Sequence, residues 1–434
     1  MIREVPADTV FVILSFEGPD LYSQAGGLGV RARELSRALA GHGFPTHLYF
    51  VGDPGLPALE ESGGVFQHRW GQWLSRAYPR GVYDGEEEKV SDWSRSLPAH
   101  LVEQIVAPAA AAGRRVVILA EEWHTAAAVS LTSDALSYQG LRNRVTMLWN
   151  ANSVFGFDRI NWSALQAASA VTTVSRYMKH RMWQWQVNPI VIPNGIPESA
   201  LEAPVEAQVR ALREAAGADI FCFKIGRFDP DKGWLLAMTA LGLLKRSGRR
   251  VKLLMRGGPE AHGREVRAQA AAQGLQVVKA PSPIRPSELV AMLRAQPEAD
   301  VLELSTFLPD PILPLVYSAV DAVLANSGHE PFGLVGLEAM AAGGVAVTGS
   351  TGEDYAIPFL NALVLETDDP LELVAGLELL EARPELALRL REGGLRTARN
   401  YTWNNVIVQL LHWVELAARR QSVQQSAADA GAPA

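Results

Sequence analysis

The sequence predicts an α/β protein made of two doubly wound parallel sheets, one in each half of the chain. Three observations carry this expectation. Short apolar runs alternate with segments of helical period along most of the length. Glycine-rich turns stand at the ends of the apolar runs, at 22–29, 226–233 and 348–355. The chain has 434 residues, 48% of them hydrophobic, which is long for one domain and apolar enough for two cores. No period of 20–50 residues repeats, so the halves share architecture and not sequence.

Composition narrows the function. There are 40 basic and 47 acidic residues, a net charge of −7, which gives no sign of a nucleic-acid partner. The single cysteine, Cys222, rules out an internal disulfide and suits a reducing, cytoplasmic setting. No apolar run reaches the length of a transmembrane segment, and the start has too short a run for a signal peptide. Peripheral membrane contact through an amphipathic face stays open.

The first half opens with a strand, 9–15, then the turn 22–29 and a helix, 30–40, with Val30, Leu35, Ala38 and Leu39 on one face and Arg31, Arg33 and Arg37 mostly outside. A strand at 47–51 completes a β–glycine-loop–α–β unit. Gly27 and Gly29 allow the backbone N–H groups to approach an anion or a sugar closely. Residues 52–100 read as irregular. Trp70, Trp73, Tyr83 and Trp93 lie there among charged neighbours, and make the stretch either a structural insertion or an acceptor surface. A helix at 101–112, a strand at 115–119, a strand at 145–148 and a strand at 170–174 continue the alternation. Pro, Gly and acidic residues at 193–206 read as a linker.

The second half restarts with a strand at 221–225, a loop, and a helix at 234–245. Arg227 and Lys232 are two cations on that loop, at the strand end where such sheets bind ligands. A strand at 252–255, a helix at 264–273, a strand at 275–279 and a helix at 286–293 follow. Then come a strand at 322–325, a loop ending in Glu330, a helix at 332–342 and a strand at 345–348. The amides near Phe332, Gly333, Leu334 and Val335 form a helix N-terminus, an anion site to which a diphosphate is suited. Glu330 and Glu338, eight residues apart, flank it. After 368 come two helices to about residue 400, a last helix at 403–418, and a tail at 421–434 of disordered composition.

The string EPFGLVGLEAMAAGGVAV resembles the E-x7-E signature of the retaining group 1 glycosyltransferases and their glycogen- and sucrose-synthase relatives. GRFDPDKG at 226–233 resembles their G-R-x-x-x-x-K-G, and VIPNGI at 191–196 resembles their V-I-P-N-G-[IV]. The resemblance runs from about residue 9 to 418. It implies the GT-B fold, two Rossmann-like domains facing a cleft. Residues 1–200 would form the acceptor domain, with helix 403–418 packing back on it, and 207–400 the nucleotide-sugar donor domain.

By the same resemblance, Arg227, Lys232 and Glu330 are catalytic and Gly27, Gly29, Gly333, Leu334, Val335 and Glu338 bind the donor. Glu338 would accept the ribose hydroxyls. Protein cations and the helix dipole would replace a metal, and no cofactor is implied; the nucleotide-diphospho-sugar is a substrate, and the acceptor is a sugar, a lipid or a small molecule. His124, Asn150 and Trp149 are candidate acceptor or sugar contacts. Gln24 stands where the glycogen and starch synthases carry a lysine before the glycines, Arg256 departs mildly from the family's G-x-G-P, and Trp149 stands where a histidine is usual. An indole cannot accept a hydrogen bond or carry a proton, which supports a non-catalytic nucleotide-sugar-binding or regulatory subunit as the rival expectation; an epimerase of the same fold is a second rival.

Overall fold

The computed structural model describes residues 5–305, 308–309 and 312–423. The chain divides into two compact units. One runs to Gly195 and resumes at Trp403; the other is Ile196–Thr402.

The first unit holds β1 (Val10–Leu14), β2 (Thr46–Val51), β3 (Leu59–Ser62), β4 (Val65–Trp70), β5 (Val116–Glu121), β6 (Val145–Ala151), β7 (Ala170–Thr173) and β8 (Ile190–Val191). Their order is β3-β4-β2-β1-β5-β6-β7-β8, parallel throughout except for the edge strand β3. Phe11 faces Thr46 on one side and Val117 on the other. Every residue of β1 is buried, as expected of a central parallel strand covered on both faces. The helices are α1 (Gly27–Gly41), α2 (Gln72–Ala77), α3 (Glu86–His100), α4 (Ala107–Ala111), α5 (Trp123–Tyr138), α6 (Trp162–Ala168) and α7 (Arg176–Met182).

The second unit holds β9 (Ile220–Ile225), β10 (Val251–Arg256), β11 (Val277–Ala280), β12 (Val301–Leu304), β13 (Ala322–Ala325), β14 (Ala346–Thr348) and β15 (Leu363–Val364), in the all-parallel order β11-β12-β10-β9-β13-β14-β15. Its helices are α8 (Glu206–Ala216), α9 (Trp234–Arg246), α10 (Gly263–Ala272), α11 (Pro286–Ala295), α12 (Leu313–Ala319), α13 (Leu334–Ala341), α14 (Pro370–Ala382) and α15 (Pro384–Ala398). In each sheet the connections change direction beside the first strand: β2 and β5 flank β1, and β10 and β13 flank β9. Open α/β sheets bind ligands at that switch point, outside the strands' carboxyl ends. The last helix, α16 (Trp403–Arg420), packs Trp403, Ile407 and Leu410 with Leu35 and Leu39 of α1 over β1 and β2.

Several elements differ from the sequence expectation. Residues 52–100 are not irregular: β3, β4, α2 and α3 lie there, and β4 pairs parallel with β2 over six residues. Its sequence, VFQHRW, mixes polar and aromatic residues on both faces, which hid the period. Trp93 is buried in α3 and Trp73 is exposed. The segment 101–112 starts as a π-helical turn, Leu101–Val106, before α4. The strand β12 and helix α12 were not anticipated, because Glu303 interrupts the first and Pro314 stands at the start of the second. Arg31 is buried and not outside. Gln421, the first residue of the expected tail, is bonded to Met147 of β6 through both its amide groups; the rest of that tail, from 424, lies outside the described residues. Among the described residues, no helix is long and apolar enough to cross a membrane.

Candidate functional site

In the second unit, β9 and β13 lie side by side and deliver two loops to one place. The loop after β9 carries Arg227 and Lys232; the loop after β13 carries Glu330 and leads into α13. Three contacts tie the loops together. The Lys232 ammonium bonds the Glu330 carboxylate. Gly328 N donates to Asp231 O at 2.7 Å, and Asn326 Nδ2 donates to Gly233 O at 3.2 Å. Glu330 Oε2 also accepts from Ser327 Oγ at 3.0 Å, and Glu330 N donates to Thr351 Oγ1 at 2.9 Å. The first turn is pinned from below by Trp234, whose indole N–H donates to Arg227 O at 2.8 Å. The Arg227 side chain is exposed.

Two glycines are required here by geometry. Gly233 has φ +63°, and a β-carbon on it would lie 2.1 Å from Asn326 O. Gly333, the N-cap of α13, has φ +78°, and a β-carbon on it would lie 2.6 Å from Glu353 Cγ. No side chain caps α13. The helix starts at Leu334, two residues later than the sequence reading placed it, so Leu334 and Val335 supply its first amides. Glu338, one turn on, accepts from Tyr317 Oη at 3.0 Å.

Beneath the two loops lies Lys224 of β9. Its Nζ donates to Leu324 O at 2.9 Å and Asn326 Oδ1 at 2.6 Å. Burial, and then the nearby Lys232 ammonium, lower it to about 7. Beside Gly333 sits Glu353, whose carboxyl is buried; burial and the Glu330 charge raise it to about 8. Neither residue was singled out from the sequence. The apolar run FCFKI hides Lys224, and Glu353 lies in a turn read only for its glycines.

The first unit arranges its candidates differently. Glu17 folds back into the glycine loop: its Oε2 accepts from Ala25 N at 3.2 Å, Gly26 N at 2.9 Å and Gly29 N at 3.1 Å, and its Oε1 accepts from Tyr83 Oη at 2.6 Å. An internal carboxylate thus takes the Gly29 amide that the sequence reading gave to a diphosphate. Around Gly27 there is open space for a β-carbon.

Trp149, Asn150 and His124 lie below the surface of this unit, so none presents a face to solvent. Trp149 is fully buried, and its Nε1 donates to Glu122 O at 3.0 Å. Asn150 bonds Glu121 Oε2 at 2.9 Å and accepts from Thr172 Oγ1 at 2.9 Å. His124 stacks between Phe16 and Trp123, its Nε2 2.8 Å from Glu86 Oε1, and burial lowers it to about 3. Two acids organise this region. Glu121 holds the buried Arg31 at 3.1 Å, and Arg31 also reaches Asn194. Glu122 has φ +64°, binds the amides of Asn152 and Ser153, and is raised to about 7 by burial and by Glu121. A left-handed conformation at a non-glycine residue is strained and persists only where its surroundings enforce it.

Among the described residues no group of three or more His, Cys, Asp or Glu side chains is arranged to hold a metal ion.

Comparison with known proteins gives the geometry a context. Residues 207–397 match the family model described as glycosyl transferases group 1, and residues 25–200 match that described as glycosyltransferase family 4. The chain is similar to a D-inositol 3-phosphate glycosyltransferase of Xylanimonas cellulosilytica, 25% identical over 424 residues, covering 92% of this chain and 93% of the relative. It is also similar to a mannosylfructose-phosphate synthase of Agrobacterium fabrum, 34% identical over 121 residues, 27% of this chain and 26% of the relative. Among solved structures, a sucrose-phosphate synthase from Thermosynechococcus elongatus superposes with a TM-score of 0.67 at 20% identity, covering 95% of this chain and 100% of that one. A UDP-forming α,α-trehalose-phosphate synthase from Burkholderia xenovorans gives 0.66 at 13% identity, covering 94% and 100%. With one family model along each unit and both sheets wound about their first strands, the chain belongs to the group 1 and family 4 glycosyltransferases and is a hexosyltransferase of the GT-B fold.

Proposed function

We propose that the protein is a retaining glycosyltransferase that moves a hexosyl unit from a nucleotide-diphospho-sugar to an acceptor hydroxyl. The observation that supports this best is the meeting of Lys232 with Glu330 directly before the uncapped start of α13. A cation, a carboxylate and bare amides side by side suit a diphosphate that carries a sugar. Similar structures include a trehalose-6-phosphate protein of E. coli bound with UDP-2-fluoro glucose and an Anabaena protein bound with UDP.

In this reading Arg227, Lys232 and the amides of Leu334 and Val335 hold the diphosphate, and Gly333 lets it come close. Glu338 accepts from the ribose, and Glu330 from a hydroxyl of the donor sugar. As the bond from the anomeric carbon to the diphosphate breaks, its electron pair leaves with the phosphate oxygen. Arg227 and Lys232 stabilise the charge that develops there. The acceptor oxygen forms its bond on the same face, and its proton passes to the departing phosphate. Both reactants then lie on one side of the sugar, so the anomeric configuration is kept.

The test is donor turnover, with and without acceptor, in Arg227→Ala, Lys232→Ala and Glu330→Gln. Large losses in all three are expected; rates near wild type in all three reject the assignment. Conversion of the donor without any acceptor would favour the epimerase reading instead.

A further inference from the structure

Glu353 is a buried acid with no stated use in the donor chemistry. It is 5% exposed, and its carboxyl oxygens make no well-formed hydrogen bond among the described residues, with only the backbone amides of Thr351 and of Glu353 itself acting on it as donors. Leaving such a group without a well-formed hydrogen bond costs roughly 1–3 kcal/mol, so its position calls for a reason. Its side chain lies against the start of α13: its Cγ and Cδ lie 2.6 and 3.2 Å from where a β-carbon on Gly333 would stand. The titratable groups around it are Glu330 from the loop before α13, Lys232 from the loop after β9, and Tyr355 from its own loop. Tyr355 donates to Gly333 O and so helps to fix the N-cap residue.

A helix N-terminus attracts one negative charge readily and two adjacent ones poorly. If Glu353 is ionised, its carboxylate takes the field of the helix end. If it is neutral, that field is left for a ligand. We propose that Glu353 and the donor diphosphate compete electrostatically for the start of α13, so that the donor binds together with one proton on Glu353. The inference rests on the donor reading above. Glu353 acts as a positioning residue: it need not touch the ligand, because the coupling is through space within a buried site.

The consequences can be measured. The free carboxyl is raised to about 8, so at neutral pH it is mostly protonated. A diphosphate nearby raises it further, and the complex then holds more protons than the free protein. The diphosphate of an intact nucleotide sugar has no proton of its own to exchange near neutrality, which makes it a clean probe.

The experiment is calorimetric titration of the full chain with UDP-, GDP- and ADP-glucose at pH 8 in two buffers of different ionisation enthalpy. The donor that binds is then followed from pH 7 to 9.5. About half a proton should be taken up per donor bound at pH 8, and affinity should fall towards 10-fold per pH unit above that. Glu353→Gln, which keeps the shape and removes the charge, should bind with a shallower pH dependence and take up markedly less proton than wild type, any remainder coming from Lys224 beneath the loops. Binding with no proton uptake in the wild type overturns the proposal without recourse to any variant, as does an unchanged pH slope in Glu353→Gln. If none of the three donors binds, the donor reading itself fails, a different result from binding without protons.

Discussion

The Lys232 ammonium meets the Glu330 carboxylate across two loops that are 98 residues apart in the chain. Both side chains are partly exposed, so the pair adds only about 0–1 kcal/mol to stability. Its effect is on position: it holds a cation at the mouth of α13. Lys232→Met should therefore leave the urea midpoint almost unchanged while lowering donor turnover by about 10²–10³-fold. A large fall in stability with normal turnover would show the pair to be structural.

Gly333 and Gly27, both assigned to the donor, should behave oppositely towards alanine. Gly333 has φ +78° with Glu353 Cγ and Tyr355 Oη against it, at 2.6 and 3.1 Å from a β-carbon. Gly333→Ala should lose about 2–3 kcal/mol in denaturant unfolding. Gly27 opens α1 with nothing within 4 Å of a β-carbon. Gly27→Ala should be neutral or stabilising by up to about 1 kcal/mol, because alanine favours a helix.

The buried Arg31–Glu121 pair gives a prediction for the first unit. Removing Arg31 alone strands a carboxylate that also serves Asn150 and Asn152. Arg31→Met should cost about 3–5 kcal/mol, and adding Glu121→Gln should restore at least about 1 kcal/mol of it. Additive losses in the double variant would contradict a paired role.

These residues show how far the sequence could be read. The alternation of strand and helix, and the loops carrying Arg227, Lys232 and Glu330, were legible because apolar runs of the right length and glycine punctuation are local features. Arg31 was misplaced because a helical wheel shows which residues share a face, not which charge waits inside. Its partner Glu121 lies 90 residues away. Glu17 was missed for the same reason: no local pattern says that a carboxylate will return to the glycine loop and bind three of its amides. Trp149 was read from its likeness to a histidine position, and tertiary packing put its indole in the core.

The stability of the protein should carry the signature of Glu353. Its carboxyl is raised in the folded state to about 8 from an ordinary value of 4.5. The folded chain therefore holds the proton longer than the unfolded chain does. Stability is at its fullest below about 4.5 and is lost as pH rises towards 8. Lys224, lowered to about 7, runs the other way, with stability rising as pH increases from 7. Comparing Glu353→Gln with wild type at each pH isolates the acid: the variant's advantage should grow between pH 5 and 8 and then level off, reaching a few kcal/mol. A pH-independent difference would contradict the buried neutral acid.

The most direct measurement is a thermal-shift comparison of wild type with the Arg227→Ala/Lys232→Ala double variant over UDP-, GDP- and ADP-sugars. At 100 times its dissociation constant a true donor stabilises the folded chain by about 2.7 kcal/mol. At least one of these sugars should raise the wild-type melting temperature, and the same sugar should have little effect on the double variant. If none raises it, or if the double variant responds as strongly as wild type, the diphosphate is not held by this loop and the account of the site is wrong.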